Sequence, residues 1–235
     1  MSPPSKLADD YREVILPIDE SFITEANLIK MARLRAVEWF PGLRGRALEI
    51  KAKELRDSMI IEDPEHRNKF EEYQVKKNDE VYGVFCSSMT IDNAAQWEGA
   101  ACLSTGFVVG LNLKSILTDP RIFGIAGKVE YYDKGNPPKV QPFTFTRTER
   151  LEKASIQIFN VPNTYSYEDE FRIFRTNRKT ENDIIVPYAE EDRKIRLSDN
   201  HLDAIYIGKK LKGKRRDEFI SCCSENFPNT EIRQN

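Results

Sequence analysis

Two apolar runs near the middle of the chain constrain its fold more than any other feature. Val81–Cys86 and Phe107–Leu113 are short and rich in β-branched and aromatic residues, a pattern typical of buried β-strands. Between them, Asp92 or Asn93 is well placed to cap a short helix that carries Trp97. The sequence therefore predicts a strand, a short helix and a second strand in succession.

The segments on either side of these runs differ in periodicity. Before them, apolar residues recur at helical spacing in Glu25–Phe40, in Arg44–Met59 and in a third segment that begins at Pro64. After them, two further helices are predicted, Arg147–Ile158 and Asp217–Asn226. The other predicted strands are Lys128–Tyr132, Glu170–Arg175, Asp183–Pro187, Lys194–Leu197, Ala204–Ile207 and Thr230–Gln234.

This order of helices and strands predicts an α+β fold. We expect a mixed, largely antiparallel sheet and a C-terminal helix. Residues 1–80 are expected to form a helical N-terminal subregion and residues 81–235 an α+β core, as one continuous domain. The sequence contains neither G-x-G-x-x-G nor a Walker-type loop, which disfavours a nucleotide-binding doubly wound fold.

The composition argues against several classes of protein. A formal net charge of -2 predicts no general affinity for nucleic acid or membranes. The four cysteines form no C-x-x-C pair and the two histidines lie far apart, so no metal site is expected. Reduced cysteines, no signal peptide and no apolar run of ~20 residues predict a cytoplasmic protein without a membrane span. The oligomeric state is left open.

A pair of glutamates provides the first candidate site. Glu168 and Glu170 are two residues apart, which on a strand places both carboxylates on one face, together with Arg172. Such a pair can perform acid–base chemistry or hold a ribose, with the pKa of one carboxyl raised by its neighbour. The structural alternative is a solvated strand face with an ion pair worth ~0–1 kcal/mol.

Three further side chains have both a functional and a structural interpretation. Trp97 can stack on a base or a nicotinamide ring, or it can belong to the core. Asn93 can bind a ligand or cap the short helix. His201 has no Ser, Cys or metal partner that the sequence makes visible, which predicts a turn residue rather than a catalytic base.

A dense basic cluster precedes the C-terminal helix. It can bind the phosphates of RNA, DNA or a nucleotide, or it can be a solvated turn. The lack of interleaved aromatic residues and the acidic chain disfavour nucleic acid. The cluster consists of Lys209, Lys210, Lys212, Lys214, Arg215 and Arg216.

Three segments of the later chain, taken in order, resemble a bacterial and phage family. They are Asp92–Trp97 with Gly106 and the apolar strand after it, Tyr167–Arg172, and Ala204–Gly208. The family, catalogued as domain of unknown function twenty-nine seventy-one, carries N-x-x-x-W, Y-E-x-E-[WF]-R and I-Y-[LI]-G segments. The resemblance covers roughly residues 81–235 and implies a shared fold. It also implies a role as an effector or accessory protein of mobile elements or phage defence.

The chain departs from this family in two places. Family members often carry a tyrosine at the position of Ala100. They usually open with an aromatic strand and an F-N-D-P segment, and neither occurs in residues 1–80. The first third of the chain is therefore divergent or rebuilt.

A second resemblance concerns the candidate site alone. Ser87-Ser88-Met89-Thr90 and the later E-x-E are similar to the arginine-specific class of ADP-ribosyltransferases. The resemblance implies that Glu170 stabilises the oxocarbenium-like ribose of NAD, that Glu168 orients the acceptor and that Ser88 buttresses Glu170. It also implies an arginine on an early strand, for which Arg12 is the candidate. Alternatively, the hydroxyls form a turn and cap the next helix.

These observations leave three functions open. An effector-type enzyme that resembles ADP-ribosyltransferases would use NAD as substrate, and it predicts that Ser88, Trp97, Glu168 and Glu170 line one pocket. A non-enzymatic module would bind a protein partner as an inhibitor or antitoxin does. It predicts an exposed apolar patch on the helical third and no such pocket. A nucleic-acid binder would use Lys209–Arg216.

Overall fold

The computed structural model has an α+β fold with mixed and antiparallel sheets, which confirms the predicted fold class. It describes residues 1–6, 15–59, 63–99, 101–122, 124–177, 180–181, 184–185 and 187–234. Two compact units divide the chain: one comprises Met1–Pro3, Val81–Tyr131 and Asn163–Asn235, the other Pro4–Glu80 and Tyr132–Pro162. The helical N-terminal segment thus belongs to the second unit, together with a segment from the middle of the chain.

Helices dominate the early chain, and strands become frequent after it. The helices are α1 (Glu25–Trp39), α2 (Gly45–Asp57), α3 (Pro64–Val81), α4 (Ala94–Glu98), α5 (Leu113–Thr118), α6 (Arg147–Phe159), α7 (Glu190–Arg193) and α8 (Lys214–Asn226). The strands are β1 (Tyr82–Ser88), β2 (Phe107–Leu111), β3 (Ile125–Lys128), β4 (Glu130–Tyr132), β5 (Asn160–Pro162), β6 (Glu170–Thr176), β7 (Thr180–Glu181), β8 (Ile184–Ile185), β9 (Leu202–Ile207) and β10 (Glu231–Gln234). Short 3-10 helices cover Pro4–Lys6, Glu20–Phe22, Asn163–Glu168 and Asp199–His201.

The second unit is built mainly from α1, α2, α3 and α6. Thr24 caps α1, because its side chain accepts a hydrogen bond from a backbone N–H of the first helical turn at 3.3 Å. Leu28, Ala32 and Ala36 follow at intervals of four residues and are all buried, so they form the core face of α1. Ala36 packs against a buried apolar stripe of α2.

Two sheets organise the first unit. In one, β6 lies between β1 and β3, and both pairings are antiparallel. In the other, β9 lies between an antiparallel β2 and a parallel β10. The register of β1 and β6 sets Ser88 opposite Glu170 and Cys86 opposite Arg172. The opposite face of the same sheet packs Ile173 into an apolar cluster with isoleucines from α5 and the loop after it.

Two predicted strands differ from the structure. Lys128–Tyr132 is divided into β3 and β4 at Val129, whose N–H donates to a carbonyl of β6. Lys194–Leu197 is not a strand. Ile195 and Leu197 pack instead against the apolar cluster of the first sheet, so their alternation reflects burial of an irregular segment.

Some sequence predictions fall outside the described residues. Arg12 and Ala100 are among these, and so is part of the predicted strand Asp183–Pro187, of which Ile184–Ile185 forms β8. In the described part of the chain, no helix combines the length and the apolar character that crossing a membrane requires.

Candidate functional site

An open cavity of about 400 Å³ lies in the first unit, where β1 ends and β6 begins. The antiparallel register sets the last residues of β1 beside the first residues of β6, so polar side chains from both strand ends meet there. Residues of α4, of the loop before it and of the 3-10 turn before β6 complete the wall. The lining consists of Cys86, Ser87, Ser88, Asn93, Gln96, Tyr167, Glu168 and Glu170.

Glu170 and Arg172 form a buried ion pair on the cavity side of β6. Their spacing of two residues sets both side chains on one face of the strand, as predicted for this part of the motif. Arg172 Nη2 lies 2.7 Å from Glu170 Oε2, and the two side chains are 6% and 8% exposed. A solvated strand face is therefore wrong for these two residues. Burial acts to lower the pKa of Arg172, but the hydrogen bond with Glu170 acts to raise it, and the pKa lies above its ordinary value.

Glu168 lines the cavity from a different structural element than the predicted strand. It ends the 3-10 helix Asn163–Glu168 and is not on a strand. Asp169 then takes a positive φ of 42°, which turns the chain into β6. Glu168 therefore does not share a strand face with Glu170, yet its side chain lines the same cavity. Burial, and then the charge of Glu170, raise the pKa of Glu168 above its ordinary value.

Asn93 fixes the loops that carry these groups. Its buried side-chain amide donates to the carbonyls of Tyr167 (3.0 Å) and Glu168 (2.9 Å) and to the hydroxyl of Ser88 (3.2 Å). Its side-chain oxygen accepts from the N–H of Gln96 at 3.3 Å and so caps α4. Asn93 is therefore both a helix cap and a clamp that joins the start of α4 to the turn before β6.

The Ser88 hydroxyl supports this clamp. It accepts the hydrogen bond from Asn93 and donates to the carbonyl of Thr90 at 3.3 Å. Among the described hydrogen bonds of the Ser88 side chain there is none to Glu170, the residue that the resemblance expects it to buttress. Ser88 instead lies opposite Glu170 in the antiparallel pairing of β1 with β6. The hydroxyl forms the turn before α4, as the structural alternative predicts, and it still lines the cavity.

Several residues of this site were missed from the sequence, among them Gln96 and Tyr167 of the lining, and two others have chemical importance. Cys86 lines the cavity, and burial followed by the charge of Glu170 raises its pKa far above the ordinary value. Tyr131 lies beneath the E-x-E turn, and its hydroxyl accepts the backbone N–H of Glu170 at 2.9 Å. The alternation of Cys86 with Ser88 along β1 was a signal for the thiol. Tyr131 gave none, because its contact depends on how distant strands assemble.

Trp97 and the basic cluster lie away from the cavity lining. The Trp97 ring is 5% exposed and its indole N–H donates to the carbonyl of Ile91 at 2.7 Å, which is the core arrangement. Lys209, Lys210 and Lys212 are exposed in the connection before α8, and Lys214, Arg215 and Arg216 begin that helix. Lys214 and Arg216 also contact carboxylates of Glu218 and Asp217, at 3.6 and 3.8 Å.

Replacing Glu168 by glutamine should stabilise the protein near neutral pH but not in acid. Because its folded-state pKa is raised, the favourable contribution of Glu168 is fully present below its ordinary value of 4.5 and is lost as pH rises through the folded-state value. The side chain is partly solvated, so the gain at neutral pH should stay below about 1 kcal/mol. Urea denaturation of both proteins at neutral and acid pH measures it.

Glu231 on β10 provides a control of opposite sign. A hydrogen bond from Arg233 lowers the pKa of Glu231, so Glu231→Gln should destabilise the protein at neutral pH rather than stabilise it. A Glu168→Gln protein less stable than wild type at neutral pH would contradict the burial argument.

The cavity combines two carboxylates, hydroxyls, amides and a thiol, and one of the carboxylates pairs with the buried Arg172. Such a set can stabilise a developing positive charge, hold a polyol and accept a proton. Among the described residues, no group of three or more His, Cys, Asp and Glu side chains is placed to hold a metal ion. Comparison of the chain with protein-family models, with curated proteins and with solved structures gave no match.

Proposed function

We propose that the protein is an ADP-ribosyltransferase-like enzyme that cleaves the bond between nicotinamide and ribose in NAD. The observation that carries the proposal is the presence of Ser88, Glu168 and Glu170 in the lining of one cavity. Trp97, which the same hypothesis assigns to this pocket, is a core residue and takes no part in the proposed chemistry. The family resemblance adds the context of a bacterial or phage effector.

Glu170 has the surroundings that this reaction requires. Its carboxylate is held by Arg172 at 2.7 Å and faces a cavity, so it needs little rearrangement when positive charge develops on the ribose. As nicotinamide leaves, its bond to the anomeric carbon breaks and a bond from the acceptor oxygen or nitrogen forms. The acceptor proton passes to Glu168, whose raised pKa suits it to proton transfer.

The charge of the lining limits which part of NAD enters. The described lining residues include two glutamates and no lysine or arginine. Carboxylates favour the cationic nicotinamide and the ribose hydroxyls, and they disfavour the pyrophosphate. We therefore expect the nicotinamide riboside end to occupy the cavity and the phosphates to stay outside it.

Nicotinamide release should depend on Glu170. Purified protein incubated with NAD and a cell extract should release nicotinamide, and Glu170→Gln should lower the rate by about 100-fold or more, as expected when a preorganised charge is removed from a transition state. Glu231→Gln, which changes an exposed glutamate that also pairs with an arginine two residues away, should leave the rate unchanged. Equal release from wild type and Glu170→Gln would exclude Glu170, and no release from either would contradict the enzyme.

A second candidate function is favoured by the surface of α1. Ile29, Val37 and Trp39 are 48%, 45% and 55% exposed, and Ile29 and Val37 share a face through their eight-residue spacing. Exposed apolar side chains of this kind mark protein-interaction surfaces. A module that binds a protein partner, such as an inhibitor of a phage-defence system, would use this face. A Val37→Lys protein should no longer bind the partner, whereas a Glu170→Gln protein should still bind it.

A further inference from the structure

A second group of reactive side chains lies in the first unit, apart from the glutamate cavity. Ser198 Oγ lies 2.9 Å from His201 Nδ1, and His201 Nε2 lies 3.0 Å from Asp119 Oδ2. The three residues come from two distant parts of the sequence, since Asp119 follows α5 and the other two lie just before β9. His201 ends a turn before β9, as predicted, and the structure adds a contact with Ser198 that was not inferred from the sequence.

The hydrogen bonds define which ring nitrogen carries the proton. The backbone N–H of Ser198 donates to His201 Nδ1 at 3.0 Å, so Nδ1 is an acceptor. Nε2 then carries the proton and donates to Asp119. The carboxylate of Asp119 stays ionised, because hydrogen bonds from Arg121 hold its pKa far below the ordinary value. The lone pair of His201 Nδ1 is thus shared between the backbone N–H and the hydroxyl of Ser198, and the ring is fixed from behind by a carboxylate.

The surroundings give this group access to a ligand. The Ser198 residue is exposed, whereas His201 is only 2% exposed and is held in place on both sides. An open cavity of about 410 Å³ is lined by Ser115, Thr118, Asp119, Pro120, Arg121, Ser198, Asn200 and His201. The Ser198 hydroxyl has a second acceptor, the side-chain oxygen of Asn200 at 2.6 Å, so its proton can be directed to Asn200 at rest and to His201 during attack.

We propose that Ser198, His201 and Asp119 form a nucleophile, base and orienting carboxylate that act on small acyl esters. This is the order of roles that defines a serine-type triad irrespective of fold. Ser198 Oγ forms a bond to the acyl carbon, its proton passes to His201 Nδ1, and the ester C–O bond breaks as that proton moves to the leaving alcohol. Water then releases the acid and restores the serine. The site is independent of the function proposed for the glutamate cavity.

A fluorophosphonate probe tests the assignment on the full-length protein. Its phosphorus should bond to Ser198 Oγ with loss of fluoride, giving an adduct that peptide mass spectrometry places on that residue. Ser198→Ala should carry no adduct, and Asp119→Asn should slow labelling by about 100-fold or more. Ser221→Ala, which changes an exposed serine on α8 that does not line this cavity, should label at the wild-type rate, and circular dichroism should show native helix content in each variant.

Two results would overturn the proposal. One is wild-type protein that remains unlabelled at Ser198 under conditions that fully label a serine hydrolase. The other is labelling of Ser198 at an unchanged rate in folded Asp119→Asn, since a merely exposed serine does not need the carboxylate. Because wild-type labelling is decisive by itself, a variant that failed to fold would not leave the proposal untested.

Discussion

Replacing Arg172 by methionine should lower the free energy of unfolding by about 3–5 kcal/mol. Methionine fills a similar volume but removes the cation that lies 2.7 Å from Glu170. The Glu170 side chain is only 8% exposed, so it cannot recover by hydration what it loses from Arg172. Urea denaturation, with the midpoint and slope both fitted, measures the difference.

The chain supplies a matched control for this substitution. Glu231 and Arg233 have the same spacing on β10 and a contact of 2.6 Å, but their side chains are 62% and 44% exposed. Arg233→Met should therefore cost far less than Arg172→Met. Adding Glu170→Gln to Arg172→Met should restore part of the loss, because it removes the unpaired charge. A cost below about 1 kcal/mol for Arg172→Met would show that water reaches the pair.

Replacing Asn93 by aspartate should lower the free energy of unfolding by about 2–4 kcal/mol. Aspartate keeps an oxygen that can cap α4, but it replaces the donating amide by an acceptor. The carbonyls of Tyr167 and Glu168, at 3.0 and 2.9 Å, would then face a carboxylate. Urea denaturation measures the loss. If the proposed reaction occurs, nicotinamide release should fall as well, because the turn that carries Glu168 is no longer held.

Asn112 is a control for Asn93, because its side chain caps a helix but, among the described hydrogen bonds, does not hold a second loop in place. Its side chain caps α5 by accepting the N–H of Ser115 at 3.1 Å, and it is exposed. Asn112→Asp should therefore be nearly neutral, since aspartate is as good a cap as asparagine. If Asn93→Asp proved equally neutral, Asn93 would act only as a helix cap, and its hydrogen bonds to Tyr167 and Glu168 would not contribute to stability.

The parts of the fold that depend on local pattern could be predicted from the sequence. The cap at Thr24, the buried stripe of α1 and the strands β1, β2 and β9 follow from spacing and side-chain type over a few residues. The strand predicted at Lys194–Leu197 was wrong, because alternating apolar residues are buried equally well in an irregular segment that packs on a sheet. Local periodicity records which residues are buried but not what they pair with.

At the candidate site, too, only the features that depend on local pattern could be predicted from the sequence. Glu170 and Arg172 share a face because both lie on one strand, and alternation predicts that. Glu168 lies beyond a positive-φ residue that nothing in the composition signals, since Asp169 is not a glycine. The link from His201 to Asp119 joins residues far apart in sequence, and no spacing rule reaches that distance. The family resemblance and the activity that it implies remain predictions.

The pairing of β1 with β6 has a consequence for synthesis of the chain. Ser87 and Phe171 are 84 positions apart and meet only when these strands pair. A nascent chain can form α1 and α2 through neighbouring contacts as it leaves the ribosome, whereas closing so long a loop is slow and requires β6 to be present. Prematurely terminated chains that end before Asn163 therefore carry the serine hydroxyls and the thiol of the cavity but neither of its carboxylates.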